Sequence, residues 1–507
     1  MYEICIKDNY RYFTAVSIFY GIVFAFCMYQ NLFGWTFLLY AITTVIVINK
    51  FLKKANLVHK KETKFIYIGV ILCGVSTCLT ANMLIQFLNW CCMLVLLMSL
   101  MINQMNEERN DKILEYINKM IRIPFATIGN IFLPLKNTKE IINSSKKERT
   151  VDKEKWKPII LGGGMAIGVL FVVVPLLAGS DIVFNRIIKS AFSWINFEGF
   201  NSLIEMFNTL FGVLITFMAG FLLIYAFFYA SCRVNSNKET EKKDKQYKSL
   251  TGIVFTSIIA SVYLLYSMIQ IRYLFLKAGL PEGISYSEYA HAGFWQLVLV
   301  VMINVSMVIL CSELYEKNKW LNYMITIISL CTYVMMLSAA YRMKLYIDVY
   351  HLTFLRLCVL WFIAALAIVM AGVIISIYKK DFRLVNYMIA VIAGSYLIFS
   401  FSQPDYWIAK YNVSHIEQLT CADLEYMICN LSLDVAPIIA EIDPKEVSSD
   451  DGDGCIYYYG NAQENSAEIM MKNYFQEVSQ RCGKIVFGRQ TFPKSVQNRL
   501  QVPFDGV

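Results

Sequence analysis

Three residues able to do chemistry stand together just before a long apolar run. The segment YIDVYHLTFLR, residues 346–356, contains Asp348, His351 and Arg356, and more than twenty apolar residues follow it. A carboxylate, an imidazole and a guanidinium in such a place could form an ionisable site at membrane depth. They could equally mark a helix end whose long side chains reach back to water.

Arg356 is the least expected of the three. Thr353 is suited to be the N-cap of a helix, which puts Arg356 in the first turn, where the helix dipole disfavours a cation. We therefore expect one of two arrangements. Arg356 either pairs with a carboxylate, from Asp348, Glu313 or Asp181, or extends its side chain to the membrane surface.

The elements that must position these residues are membrane spans. The chain has 507 residues, of which 57% are hydrophobic and 17% charged, whereas soluble domains carry about 25% charged residues. A spanning helix needs about 20 mostly apolar residues. Such stretches occur near 12–28, 31–50, 65–82, 85–104, 157–179, 205–230, 252–275, 293–312, 321–340, 354–378 and 384–401.

Positive charge predicts the orientation of these spans. Lys and Arg residues accumulate in cytoplasmic loops, and here 31 of them fall on one side of an eleven-span arrangement against about six on the other. The N-terminus is then inside. Residues 402–507, with a net charge of −7, are then outside.

We therefore predict an all-α fold, a polytopic transmembrane helix bundle of about 11 spans, N-in and C-out, with a small helical C-terminal extracytoplasmic domain. Its predicted parts are four N-terminal spans (1–104), a basic amphipathic cytoplasmic segment (105–156), a seven-span core (157–401) and an acidic, mostly helical tail (402–507). The expected location is the bacterial cytoplasmic membrane.

The cytoplasmic segment carries apolar residues at helical spacing from Ile113 to Phe132, flanked by Lys119 and Arg122. Such a helix beside a membrane usually lies in the interface, held by anionic lipid headgroups. A docking face for a membrane or cytoplasmic protein partner is the alternative. Pro124 is expected to break or kink the helix.

Helix signals recur in the tail. Thr420 followed by Asp423 resembles a capping box, and residues 466–482 read as a final helix closed by Gly483. Ser432 or Asp434 is expected to cap a helix between these two.

Catalytic motifs are missing from the sequence. It contains no HExxH, no serine elbow, no nucleotide fingerprint and no cysteine or histidine spacing typical of metal sites. We therefore expect no cofactor, no metal and no nucleic-acid partner. The span centres hold few polar residues, chiefly Asn304, Ser306, Thr43 and Thr44, which argues against proton- or sodium-driven transport.

Four segments resemble one family. YIDVYHLTFLR is similar to a YI-x-x-Y-G-L-T-x-x-R signature, and GSDIVFNRI, SQPDYWIAKYN and LSLDVAPII resemble three further elements in the same order. The family is an uncharacterised group of bacterial multi-pass membrane proteins, the domain of unknown function 4153/4173. The resemblance covers about 157–440 and implies no established activity.

The resemblance draws attention to particular residues. Its motifs match at Asp181, Phe184, Arg356, Pro404, Asp405, Tyr411, Asn412 and Asp434. Three positions depart from it, since His351 stands where the family usually has Gly, Ile182 where it has Pro, and Gln403 where it has Asn. We hypothesise that Asp181 and Arg356 form a clamp that holds the tail on the bundle.

The predicted function is a non-enzymatic sensing or scaffolding component of the membrane. A transporter or flippase for an amphiphilic or lipid-like compound is the alternative, in a cavity among the fifth to tenth spans. A membrane enzyme has the least support, because no catalytic pair is visible.

Overall fold

The structure is a computed structural model that describes residues 9–30, 34–55, 63–105, 113–134, 197–236, 247–272, 294–379, 381–448 and 466–484. Within these ranges every regular element is a helix, and the only β-type pairings are two isolated bridges. The all-α class is therefore confirmed. The first eleven helices are α1 (Tyr10–Met28), α2 (Trp35–Lys54), α3 (Thr63–Leu79), α4 (Met83–Met105), α5 (Ile113–Gly129), α6 (Phe197–Ser236), α7 (Ser249–Gln270), α8 (Phe294–Leu314), α9 (Lys319–Tyr350), α10 (Phe354–Tyr378) and α11 (Leu384–Phe401).

Nine helices of the described part are long and apolar enough to cross a membrane, namely α1, α2, α4 and α6 to α11. α3 is apolar but has only 17 residues, which is near the lower limit for a span. The multi-pass membrane architecture is thus confirmed. The predicted span 157–179 lies outside the described residues, so the total of eleven remains a prediction.

The apolar runs form helices because a helix satisfies its own backbone hydrogen bonds, which lipid cannot do. α10 shows how such a helix is bounded. Thr353 is its N-cap in an extended conformation, as expected, although its side chain makes no capping bond. Lys379, also extended, ends the helix.

The chain forms two compact units, one comprising residues 1–5, 31–124 and 231–507 and the other residues 6–30 and 125–230. In the first unit α9 packs against α7, α8 and α10, while α3 packs against α2, α4 and α11. The described tail residues belong to this unit, since α12 (Pro404–His415) packs against α10.

In the second unit, glycines allow α1 and α6 to approach closely. A Cβ added at Gly21 would lie 2.9 Å from the backbone oxygen of Phe217, and one at Gly220 would lie 2.6 Å from Cβ of Phe24. Small residues at helix crossings permit this kind of backbone approach in membranes.

The described part of the tail consists of helices joined by short connections. It continues with α13 (Cys421–Asn430), α14 (Ala436–Glu441) and α15 (Ser466–Lys484). The capping box of Thr420 and Asp423 is present, which confirms that prediction. The last helix extends through Gly483 to Lys484, so the expected stop at Gly483 was wrong.

α5 confirms the amphipathic helix predicted from the spacing. It runs through Pro124 to Gly129, so the proline does not end it, although a proline in a helix interior removes one backbone hydrogen bond.

Candidate functional site

Two tail carboxylates, Asp405 and Asp434, bind the turn between α3 and α4. We call Asp405, Asp434, their partners Thr80, Ala81 and Asn82, and Ser432 the carboxylate cluster. Asp405 is fully buried and Asp434 is 9% exposed. Because burial of an ionised carboxylate is costly unless donors surround it, the donors decide what this cluster can do.

Asp434 is held by both of its oxygens. Oδ2 accepts a hydrogen bond from Thr80 Oγ1 at 2.5 Å, and Oδ1 accepts one from the backbone N–H of Ala81 at 2.9 Å. Asp434 sits in a 3₁₀ turn, Leu433–Val435, whose N-cap is Ser432. Ser432 is therefore the cap, and the side chain of Asp434 reaches across to the turn between α3 and α4.

Asp405 binds the same turn from the first turn of α12. Its Oδ2 accepts from Asn82 Nδ2 at 2.8 Å and from the backbone N–H of Ser432 at 3.0 Å. Its Oδ1 accepts no hydrogen bond from the described residues. The position is favourable for an anion, because Asp405 lies in the first turn of α12, where the helix dipole is positive.

The turn between α3 and α4 also has hydrogen bonds of its own. Asn82 Oδ1 accepts from Ile85 N at 3.0 Å and so caps α4, while its own N–H donates to Thr80 Oγ1 at 3.1 Å. Gln86 Nε2 donates to the carbonyl of Thr80 at 2.8 Å. The donors that face the two carboxylates are thus also held by hydrogen bonds within the turn.

Asn412 makes a second link between the tail and the bundle. Its Nδ2 donates to the carbonyl of Leu352 and its Oδ1 accepts from the N–H of Leu352, both at 2.9 Å. Leu352 lies between α9 and α10, where the backbone has left the helical hydrogen-bond pattern. The amide therefore replaces both bonds that an interrupted helix loses there.

Arg356 binds backbone carbonyls and an aromatic ring. Its Nη1 donates to the carbonyl of Tyr350 at 2.5 Å and to that of His351, and its guanidinium lies 4.3 Å from the ring centroid of Tyr346. Within the described residues it forms no ion pair with a carboxylate. The cation is disfavoured by the dipole of α10, whose first turn it occupies. This cost is offset because the same cation binds the last carbonyls of α9, where the dipole is negative.

The carboxylates expected near Arg356 are placed elsewhere. Asp348 is exposed near the end of α9. Glu313 accepts hydrogen bonds from the N–H groups of Ile113 and Leu114, at 2.6 and 3.3 Å, and so caps α5. Asp181 and Phe184 lie outside the described residues, so the clamp hypothesis of Asp181 and Arg356 remains a prediction.

Two departures from the family pattern coincide with positive φ angles. His351 has φ +61° and ψ 174°, and Gln403 has φ +50° and ψ 67°. The first conformation is essentially restricted to glycine, and the second is one that Asn tolerates well. The residues expected there from the resemblance, Gly and Asn, therefore suit the backbone found in this structure.

Tyr411 and Tyr426 complete the tail side of the site. The ring of Tyr411 stacks on His415 with centroids 4.0 Å apart. Burial raises the pKa of Tyr426, and the nearby backbone of Phe354, at the start of α10, lowers it in part.

Polar groups at membrane depth form networks that the sequence did not reveal. Asn89 of α4 donates to Thr77 Oγ1 at 3.1 Å and accepts from the hydroxyl of Tyr396 at 2.8 Å. Asn304 accepts from Tyr263 at 2.6 Å and donates to Thr332 at 3.0 Å. Each amide is thus satisfied across three helices, which is how polar groups commonly hold membrane helices together.

The remaining polar residues singled out at depth bond locally. Thr43 and Thr44 donate to the carbonyls of Leu39 and Tyr40, and Ser306 donates to that of Met302. Within the described ranges, no group of three His, Cys, Asp or Glu residues could hold a metal ion.

The comparison with protein families decides where this chain belongs. The model described as Domain of unknown function (DUF4153) matches residues 67–442, which is more than half of the chain. The chain belongs to the DUF4153 family. The DUF4153 region begins in α3 and ends just after α14, so it contains the whole carboxylate cluster and the Asn412 link. Comparisons with the curated proteins and with the solved structures gave no match.

Proposed function

We propose that this DUF4153 protein is a non-enzymatic sensing or scaffolding component of the bacterial cytoplasmic membrane. The observation that carries the proposal is the carboxylate cluster, in which Asp405 and Asp434 fasten the tail to the turn between α3 and α4. The tail is then the element that meets a ligand or a protein partner. The bundle is the element that holds the tail in place.

The geometry of the carboxylate cluster is better suited to anchoring the tail than to acid–base catalysis. Both oxygens of Asp434 accept hydrogen bonds, and Thr80 Oγ1 both donates and accepts. A general acid or base must reach a substrate proton, whereas these groups are buried and directed at one another.

The proposed orientation, with the tail outside, rests on the charge of the loops. We propose that the basic loops, together with α5, face the cytoplasm, where anionic headgroups attract Lys and Arg. The contact of Glu313 with Ile113 supports placing α5 and the loop after α8 on the same side of the membrane. Glu313 lies at the end of α8, and Lys317 and Lys319 follow it in the sequence.

Thiol labelling tests the orientation. Cys429 is exposed and Cys421 is buried in the same helix, so two variants that each keep one of them provide a probe and its matched control. An impermeant maleimide should label Cys429 in intact cells and should leave Cys421 unlabelled. Labelling of Cys429 only after lysis would place the tail in the cytoplasm.

The pH of that experiment matters. Partial burial and the carboxylates of Glu425 and Glu477 raise the pKa of Cys429. Less thiolate is then present at neutral pH, and since the thiolate is the reactive form, labelling should speed up as the pH rises. A reaction at about pH 8 suits this thiol better than one at neutral pH.

Partner capture and lipid flux separate the proposed function from its alternative. A photo-crosslinking amino acid at the exposed Glu417 should yield one defined adduct in cells, while the same group at the buried Leu424 should not. In proteoliposomes the protein should not accelerate the movement of a fluorescent phospholipid or an amphiphilic dye. Accelerated movement without an adduct would instead support a transporter or flippase.

A further inference from the structure

α5 is anchored to the bundle through its first turn. The carboxylate of Glu313 accepts from the N–H groups of Ile113 and Leu114, at 2.6 and 3.3 Å. Tyr116 donates to Ser99 Oγ of α4 at 2.8 Å. An anion at a helix N-terminus satisfies orphan N–H groups and interacts favourably with the helix dipole, so the start of α5 has a fixed position.

The anchored helix presents three different faces. Successive residues are about 100° apart around a helix. One face is buried against the protein, with Ile113 6%, Tyr116 3% and Ile123 0% exposed. The polar face carries Glu115 and Arg122, whereas Asn118 lies at its border, about 20° from Phe125 around the helix.

The third face is apolar and uncovered in this structure. Its side chains are large, and those near the end of the helix are the most exposed. They are Ile117 46%, Ile121 55%, Phe125 71% and Ile128 65%, continued beyond the helix by Phe132 at 70%. This face lies between the buried face and the polar face.

A lipid surface is the occupant that fits all three faces. A helix of this kind lies in the membrane interface with its apolar face among the acyl chains and its polar face in water. Seven residues separate Met105, the last residue of the spanning helix α4, from Ile113, the first residue of α5, so α5 starts close to the end of a span.

The charge of the segment suits an anionic surface. Residues 113–147 contain six Lys and Arg residues against two Glu residues. Lys119 lies 2.7 Å from Glu115, which partly neutralises it. The apolar face must therefore provide most of the attachment, with the basic residues adding attraction to anionic headgroups.

We infer that α5 is a membrane-surface helix, clipped to the bundle by Glu313 and Tyr116, whose face of Ile117, Ile121, Phe125 and Ile128 inserts into the lipid interface beside anionic headgroups. The inference does not depend on the sensing function or on which side of the membrane is cytoplasmic. A protein partner on the same face is the competing outcome.

Fluorescence quenching in nanodiscs tests the insertion. The full chain, without its native cysteines, carries a bimane label at Phe125→Cys on the apolar face or at Glu115→Cys on the polar face. Brominated phospholipid should quench the label at position 125 at least about twofold more than the label at 115, because only the apolar face meets acyl chains. Iodide in the buffer should show the reverse preference.

Each other outcome overturns the proposal. Strong iodide quenching at position 125 would mean that the apolar face is open to water. Protection of position 125 from both quenchers would mean that protein, and not lipid, covers the face.

Lipid composition tests the headgroup part separately. Exchanging phosphatidylglycerol for phosphatidylcholine should reduce bromolipid quenching at position 125, and Arg122→Gln should make that reduction smaller. Equal quenching in both lipids would remove anionic headgroups from the proposal. Glu313→Gln should lower quenching at position 125 in either lipid, because it weakens the clip, and unchanged quenching would contradict the role of Glu313.

Discussion

Asp434 Oδ2 accepts a hydrogen bond from Thr80 Oγ1 at 2.5 Å, although 354 positions separate the two residues in the chain. The bond joins the tail to the turn at the end of α3. Since the N–H of Ala81 donates to the same carboxylate, a single tail residue fixes two groups of that turn. This contact makes the tail part of the bundle instead of an independent appendage.

Removing Asp434 should release the tail. Asp434→Ala leaves the Thr80 hydroxyl and the Ala81 N–H without their acceptor, and hydrogen bonds to charged groups contribute about 1.5–3 kcal/mol each. We expect faster proteolysis of the tail and a lower Tm in detergent. Glu417→Ala, at an exposed tail position, is the control and should leave both unchanged. Equal proteolysis of the two variants would argue against the cluster as a tail anchor.

For stability, the negative charge of Asp405 should matter less than the oxygen, Oδ2, that accepts its hydrogen bonds. In Asp405→Asn the amide oxygen can keep the bonds from Asn82 and Ser432, and the amide nitrogen takes the place of Oδ1, which accepts nothing from the described residues. Neutralising a buried carboxylate also lowers its desolvation cost. Unfolding should shift by less than about 1 kcal/mol for Asp405→Asn and by about 2–3 kcal/mol for Asp405→Ala.

Thermal unfolding of the purified Asp405 variants in one detergent measures this difference. An Asn variant as unstable as the Ala variant would show that the negative charge itself is required.

His351→Gly should stabilise the protein. The φ of +61° with ψ 174° at this position is strained for any residue with a Cβ, at a cost of about 1–3 kcal/mol. Glycine removes that strain but gains entropy in the unfolded chain, so we expect a net gain of about 1 kcal/mol. The Tm of His351→Gly should rise, while His351→Ala, which keeps the Cβ, should not show the gain. A fall in Tm for the glycine variant would mean that the imidazole makes a contact worth more than the strain.

Both the oxygen and the nitrogen of the Asn412 amide should contribute to stability. Asn412→Asp retains an acceptor for the N–H of Leu352 but directs a carboxylate oxygen at the Leu352 carbonyl, which currently accepts from Nδ2 at 2.9 Å. A buried polar group without a hydrogen-bond partner costs about 1–3 kcal/mol of stability, and a charged one costs more. The variant should unfold at lower temperature at neutral pH and recover part of the loss as the pH falls, since a protonated carboxyl can donate again. A pH-independent loss would contradict this explanation.

Much of the architecture could be predicted from composition and spacing. Apolar runs of about 20 residues predict spans because a helix of that length crosses the hydrocarbon core of a bilayer. The helical spacing of apolar residues from Ile113 onward predicted α5. The capping box of Thr420 and Asp423 was also predictable, since its partners are three residues apart. All of these are local signals.

The candidate site was only partly visible. Resemblance to the family pointed to Asp405, Asn412 and Asp434, but it did not say what they contact. Asn82 and Thr80 were missed. Their one signal is a short polar turn between two apolar runs, and many turns look the same. The carbonyl partners of Arg356 were missed as well, because backbone groups leave no trace in a sequence.

What the sequence by itself determined is therefore the kind of elements: apolar helices, an amphipathic helix and a helical tail, each set by bonds within a few residues. Only the tertiary structure decided that Asn82 meets Asp405 across 323 positions and that Asn304 meets Thr332 across 28. The physical reason is that apolar helix faces resemble one another in lipid, so hydrophobicity drives insertion without selecting neighbours. The selection of neighbours rests on a few polar contacts and close glycine approaches, which become visible only when the helices are side by side.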